Sequence, residues 1–179
     1  MAAEPHILEH HDRLVLRALL ALVMAAACGC RPAEPGRLSA RVILQPHDTV
    51  EFSTEATGRS CDEGRGVVLE GIAGGNGVLL WLHSSDSLVQ GEYRVLARGD
   101  TITPRGTVGA VRFITQNSDR GVTLDSGVVT VSPAPGRKDV RVRGSGIDPS
   151  AGLRVVLDAS FGAVSIAADT VTCRVQLQL

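Results

Sequence analysis

The sequence predicts an all-β protein, an antiparallel β-sandwich, with a partial β-barrel as the alternative. From Leu38 onward, short runs rich in β-branched residues are separated by Gly, Pro, Asn, Asp and Ser at intervals of about 8 to 14 residues. Several runs alternate apolar and polar side chains, as in Val-Arg-Val-Arg at 140–143, which directs one set to the core and the other to water. No convincing amphipathic helix interrupts these runs. The unequal run lengths, together with glycines that permit corners, favour the sandwich over the barrel.

Ten strands are predicted from these runs. They cover residues 39–45, 49–55, 66–72, 78–83, 92–97, 108–115, 127–132, 139–144, 153–161 and 170–179. The run 78–82 is apolar on both faces, which is typical of a central strand or of one that faces a second layer. The glycine-rich segment 71–77 is predicted to be a hairpin turn, with Asn76-Gly77 as its tight pair. A phosphate-binding loop would need a helix after it, and a strand-like run follows instead.

The N-terminal segment has the layout of a helical signal peptide. Arg13 and Arg17 precede about ten apolar residues, which end in small residues and Cys28. A transmembrane helix would need about 20 apolar residues. Here Arg17 interrupts the run and Gly29 and Pro32 end it, so the segment is too short to span a bilayer.

The cysteine at the end of this segment carries a resemblance to a known class. Ala25, Ala26 and Ala27 followed by Cys28 resemble the lipobox of bacterial lipoproteins, a motif that covers only the first thirty or so residues. The resemblance implies that Cys28 becomes the lipidated first residue of the mature chain, with Cys30 as the alternative. Two or three acyl chains, palmitate among them, would suffice for stable anchoring. The expected location is the bacterial cell envelope, on a membrane and facing the periplasm or the exterior.

These features divide the chain into three parts. Residues 1–27 are the expected signal peptide, 28–37 a lipidated tether with two prolines, and 38–179 a single β-sandwich domain. About 150 residues is the size of one ordinary domain with one core.

The charge balance argues against nucleic acid as a partner. Removal of residues 1–27 takes 2 of the 18 basic and 3 of the 19 acidic residues, which leaves 16 of each and a net charge near zero. Nucleic-acid binding proteins present a clustered basic surface instead.

The two cysteines outside the lipobox are predicted to form a disulfide. Cys61 and Cys173 would be the one bridge of an exported domain, closing a loop of about 110 residues. Two separate buried thiols are the alternative. Neither cysteine has a second ligand at CxxC spacing, so no zinc site is predicted.

No pattern in the sequence predicts catalysis. His83, Ser84, Ser85 and Asp86 are adjacent, but successive residues of an extended chain point to opposite faces and do not converge as a triad. His47 lies at a predicted turn. The aspartates lie mostly in or beside turns, without the Asp-x-Asp-x-Asp run of a calcium loop. We therefore expect no enzyme activity, no metal and no cofactor.

The expected function is that of a non-catalytic, lipid-anchored envelope module, binding or structural, with the membrane and an envelope protein as partners. The alternative is a carrier of a small apolar ligand. It is motivated by the apolar run 78–82 and by the 3% aromatic content, which would leave room inside the domain. A hydrolase that uses His83 or His47 ranks third.

Overall fold

The structure is a computed structural model that describes residues 34–44, 48–85, 90–100, 102–116 and 118–168. Within these ranges the protein is all-β, as predicted. Its strands are β1 Gly36–Leu44, β2 Asp48–Cys61, β3 Gly66–Ala73, β4 Asn76–Ser84, β5 Gly91–Arg94, β6 Arg105–Thr115, β7 Ser118–Ala134, β8 Arg137–Ile147, β9 Arg154–Val164 and β10 Ile166–Ala168, with a 3-10 turn at Asp62–Gly64. The predicted strand 170–179 lies outside the described residues, and β10 was not predicted. No helix in the described part of the chain is long and apolar enough to cross a membrane.

Eight of the strands form a closed ring. Each pairs with the next in the order β1, β2, β3, β4, β6, β7, β8, β9, and β9 returns to β1; all eight pairings are antiparallel. The closing pairs join Ala40 of β1 to Phe52 of β2 on one side and to Ala159 of β9 on the other. The fold is therefore a closed eight-stranded antiparallel β-barrel.

The predicted sandwich is wrong, and the barrel that was its alternative describes the fold, although the barrel is closed rather than partial. Two long strands, β2 and β7, close the sheet into a barrel in place of two separate sheets. The first half of β2 pairs with β1 and its second half with β3, while β7 pairs first with β6 and then with β8. Each long strand thus carries the wall from one side to the other, and a β-bulge between Leu124 and Ser126 bends β7 on the way. Each ring strand therefore has a strand neighbour on both sides, along part or all of its length.

Strand β5 lies outside the ring order and fills a gap in the wall. Where β6 separates from β7, β5 pairs with residues 128–131 of β7 in the place that β6 has left. Val95, just after β5, forms a parallel bridge to Thr107 of β6, and the Leu96 amide donates to the Thr107 carbonyl. The wall is therefore continuous at this end of the barrel.

The barrel interior is a packed core of side chains. Every second residue of β1 points inward and is buried, from Leu38 to Leu44, and inward residues of all eight ring strands join one apolar cluster. Two inward glycines show how full this interior is. A Cβ at Gly109 would lie 2.9 Å from a Leu124 methyl carbon and 3.0 Å from one of Leu80, and a Cβ at Gly144 would lie 3.0 Å from Leu124. An eight-stranded barrel is just wide enough for its own side chains, and here they occupy it.

A second, smaller apolar cluster lies on the outside of the wall. Leu96 crosses over β6 and covers Val108 and Ala110, with Leu79 and Trp81 of β4 packed against them. This cluster explains why the run 78–82 is apolar on both faces, because one face contacts the barrel core and the other contacts Leu96. The run therefore lies between β3 and β6 in the wall and has a small apolar cluster on its outer face.

The tight turn between β3 and β4 differs from the prediction by two residues. Gly74 and Gly75 occupy its two central positions, both with positive φ, and Ala73 pairs with Asn76. Two consecutive positive φ angles suit a two-residue hairpin, and glycine adopts them without strain. Asn76 therefore flanks the turn, where its side-chain oxygen accepts a hydrogen bond from the Ile114 amide at 2.7 Å.

Candidate functional site

Several of the predicted site residues lie outside the described part of the chain. These are Cys28 and Cys30, the candidates for lipidation, together with Cys173 and His47. Cys61 is described: it ends β2, and its side chain is buried. Its predicted disulfide to Cys173 stays a prediction, as does the lipid anchor.

His83 is placed by β4 on the outer side of the wall. Its ring lies 5.1 Å from the ring of Trp81, centre to centre. Its Nε2 atom is buried and makes no hydrogen bond. Burial lowers the pKa of His83, and the nearby Asp100 carboxylate opposes that shift only in part. The imidazole is therefore neutral at neutral pH.

The hydroxyl groups next to His83 do not join it. Ser84 is buried on the inner side of the wall, while Ser85 is exposed and its amide donates to the Pro104 carbonyl at 2.8 Å. His83 makes no hydrogen bond to a serine in the described residues. Asp86 lies outside them. Neither of these two described hydroxyl groups is therefore hydrogen-bonded to His83 as an activated nucleophile would be.

The Asp100 side chain shapes a turn of the described chain. Asp100 accepts hydrogen bonds from the amides of Ile102 and Thr103 and from the Thr103 hydroxyl, and the Thr103 amide contributes most to lowering the pKa of this carboxyl. No group of three or more His, Cys, Asp and Glu side chains in the described ranges is arranged to hold a metal ion.

Asp148 is the most buried carboxylate of the described chain, and it closes the β8–β9 connection. Only 1% of its side chain is exposed, and it accepts hydrogen bonds from the amide and hydroxyl of Ser150 and from Arg120 Nη1 at 2.8 Å. Burial by itself raises the pKa of Asp148, but the bonds from Ser150 and Arg120 outweigh it and hold the pKa below its usual range. Both carboxylate oxygens are thus bonded to other parts of the protein, and the contacts hold the turn in place.

The most extended polar surface lies on the outer side of the first half of β2, β1, β9, β8 and the second half of β7; we call it the charged face. One row across it reads Glu51, Arg41, Asp158, Arg143, each opposite the next in the sheet. The charges alternate in sign, with Arg41 Nε 2.6 Å from Glu51 Oε1 and Arg143 Nε 3.8 Å from Asp158 Oδ2. Because all four side chains are more than half exposed, such pairs contribute about 0.2–1 kcal/mol at most. They are free to exchange partners with a bound molecule.

A second row of the charged face carries hydroxyl groups and one arginine without an acidic partner. It reads Ser53, Ser39, Ser160, Arg141, Thr130 across the same strands. Arg141 is exposed and makes no ion pair or hydrogen bond with another described residue. Five guanidinium N–H groups are therefore available in a fixed planar arrangement that matches a carboxylate.

Two shallow grooves meet at this arginine. One, of about 580 Å³, runs over β2, β1 and β9, and the other, of about 800 Å³, runs over β9, β8 and β7. Arg141, Arg143 and Ser160 line both of them. The charged face is thus a broad concave polar surface.

Sequence reasoning found the outward direction of Arg141 and Arg143 but not their surroundings. The alternation at 140–143 predicts that both arginines face water, and they do. Their neighbours Asp158, Ser160 and Ser39 come from strands that only the barrel register brings alongside β8.

Comparison of the chain with protein-family models, with curated proteins and with solved structures gives no match.

Proposed function

We propose that the protein is a non-catalytic module, lipid-anchored in the bacterial envelope, that binds an acidic protein partner through the charged face. The observation that supports this most is Arg141, an arginine without an acidic partner among hydroxyl groups, at the junction of two grooves. Arginine recognises carboxylates in a bidentate manner, and Ser39 and Ser160 beside it supply further donors. Glu51 and Asp158 would select against a purely anionic surface and set the register of a partner with charges of both signs.

The composition of the charged face favours a protein over a glycan. Sugars stack on exposed aromatic rings, and Phe52, half-buried, is the only aromatic residue that lines the first groove. Five strands about 4.8 Å apart make the face roughly 24 Å wide. A face of that width offers less area than a permanent complex usually buries, so we expect a transient interaction.

The closed ring also bears on how a partner binds. Because every ring strand already has a strand neighbour on both sides, along part or all of its length, we expect recognition through faces and hairpins rather than through an added strand. The N-terminal end of β1 lies at the end of the barrel opposite the β1–β2 hairpin. Residues 29–35 separate Cys28 from Gly36, so a lipid on Cys28 would hold the start of β1 within about 29 Å of the membrane. The partner is then a protein of the same membrane or of the space beside it.

The packing supports surface binding rather than carriage of an apolar ligand. A carrier needs room inside the barrel. Even a methyl group added at Gly109 or Gly144 would come too close to Leu124. The apolar run that motivated the carrier is occupied on both faces by the protein itself.

The test is crosslinking in intact bacterial cells that export the full chain. A photoreactive amino acid at Ser160, in the charged face, is compared with one at Thr57, which is exposed on the second half of β2. We expect one discrete crosslinked species from position 160, lost when Arg141→Glu is added and kept with the matched change Arg98→Glu in an exposed turn. Equal crosslinking from both positions, or no effect of Arg141→Glu, would contradict the proposal.

A further inference from the structure

A second arginine without an acidic partner lies on the inner side of the wall, where such a residue is less expected. Arg105 begins β6 opposite Ser84, and its side chain runs over the ring of the fully buried Tyr93, with Cζ 4.3 Å from the ring centre. Its Nε atom is buried and donates no hydrogen bond. Among the described residues the ion pairs involve other arginines, and no described carboxylate pairs with this one.

The next inward residue of β6 also has a buried polar atom without a hydrogen-bond partner. Thr107 is fully buried, and its Oγ1 atom has no hydrogen-bond partner. Since residues two apart on a strand share a face, Arg105 and Thr107 point to the same side, and Ser84 joins them from the opposite position on β4. A cation and a buried donor without partners therefore lie side by side at one end of the barrel.

This combination calls for a ligand. Buried polar groups in native structures are nearly always hydrogen-bonded, and a buried group left without a partner costs about 1–3 kcal/mol. The Tyr93 ring offsets the arginine charge only in part, since cation–π contacts contribute about 0.5–2 kcal/mol. An anion with oxygen atoms would accept from the guanidinium and from the Thr107 hydroxyl, and it would neutralise the charge, which water does not do.

We propose that the end of the barrel between β4, β5 and β6 binds a small oxyanion, a carboxylate or a phosphate group, through Arg105 and Thr107. Arg105 supplies the charge and a planar pair of donors, Tyr93 holds the guanidinium beneath the site, and Thr107 adds a third donor. This site is independent of the charged face and of the function proposed for it.

The experiment is thermal unfolding of the full chain at constant ionic strength, with inorganic phosphate, acetate or chloride. Phosphate or acetate at ten times its dissociation constant is expected to raise the Tm by roughly 4 °C over chloride, and saturably. A shift with phosphate alone identifies a phosphate site, and a shift with acetate alone a carboxylate site. No shift with either anion overturns the proposal.

Two substitutions and a control separate binding from a general salt effect. Arg105→Gln is expected to abolish the shift, whereas Arg98→Gln, in an exposed turn, keeps it. Thr107→Val removes the unpaired hydroxyl, so it should raise the Tm in chloride and reduce the increment from the anion. This second variant decides the question even where Arg105→Gln fails to fold. An unchanged increment in Thr107→Val, or an equal one in Arg105→Gln and Arg98→Gln, contradicts the site.

Discussion

The buried pair of Arg120 and Asp148 gives the sharpest prediction about stability. Arg120 lies near the start of β7 and Asp148 follows β8, so their contact joins two strands at the β8–β9 turn. The Asp148 side chain is 1% exposed and that of Arg120 is 24% exposed. The change Arg120→Met keeps most of the aliphatic length of the side chain and removes the only cation that contacts this carboxylate among the described residues.

The expected loss in the free energy of unfolding depends on the hydrogen bonds that Asp148 keeps in this variant. A hydrogen bond to a charged group contributes about 1.5–3 kcal/mol, and breaking a fully buried pair costs about 3–5 kcal/mol. Asp148 retains its two bonds from Ser150, and Arg120 is partly solvated, so we expect a loss of about 2 kcal/mol. Because the folded pKa of Asp148 is depressed, its contribution is complete above the unfolded value of 3.8 and is lost as pH falls through the folded value.

The assay is urea unfolding at pH 7, with Arg112→Met as the matched control. Arg112 pairs with Asp119 at the same 2.7–2.8 Å distance, but both side chains are about half exposed or more. That control should cost no more than about 0.5 kcal/mol. If Arg120→Met costs no more than Arg112→Met, the reasoning from burial is refuted.

Three further changes test the local geometry. Ala163→Gly should raise the free energy of unfolding by about 1 kcal/mol, because Ala163 has a φ of 51°; a loss in urea unfolding would argue against this backbone conformation. Gly146→Ala should lower the free energy of unfolding by about 3 kcal/mol, because the new Cβ would overlap the Thr123 carbonyl. Gly162→Ala should be tolerated, because its Cβ would meet open space. Similar urea midpoints for the two variants would contradict this packing. Stability should fall as pH drops below 6.5, because the lowered pKa of His83 resists protonation in the folded state; His83→Phe should flatten that profile.

The strands were predictable because their signal is local. Alternation and turn residues within each run predict nine of the strands and locate seven of them to within a few residues, whereas β2 and β7 extend well beyond the predicted ranges. The extension of β7 includes residues 118–121, which contain the Ser, Asp and Gly typical of a turn, and yet Asp119 and Gly121 are paired with Ile114 and Arg112. The ladder with β6 satisfies their backbone groups better than a turn would.

Closure of the barrel was not predictable from the same signal. The inward and outward pattern of β1 is the same whether one edge or both edges are paired. The sequence around Ala40 therefore does not show that this residue pairs with strands on both sides. The same holds for the sites. Arg141 was predicted to face water, but the absence of an acid beside it, and beside Arg105, depends on which strands lie alongside. Register between strands distant in sequence is the missing information.

The measurement that tests the account most directly is mass spectrometry of the protein from bacterial membranes, intact and as peptides, with and without reduction. The account predicts a mature chain that begins at Cys28 with acyl mass on that residue, shifted to an unmodified form by Cys28→Ser. It also predicts a peptide that joins Cys61 to Cys173 until reduction. An unprocessed chain with its N-terminal segment intact, no acyl mass and free thiols would contradict an envelope-anchored module.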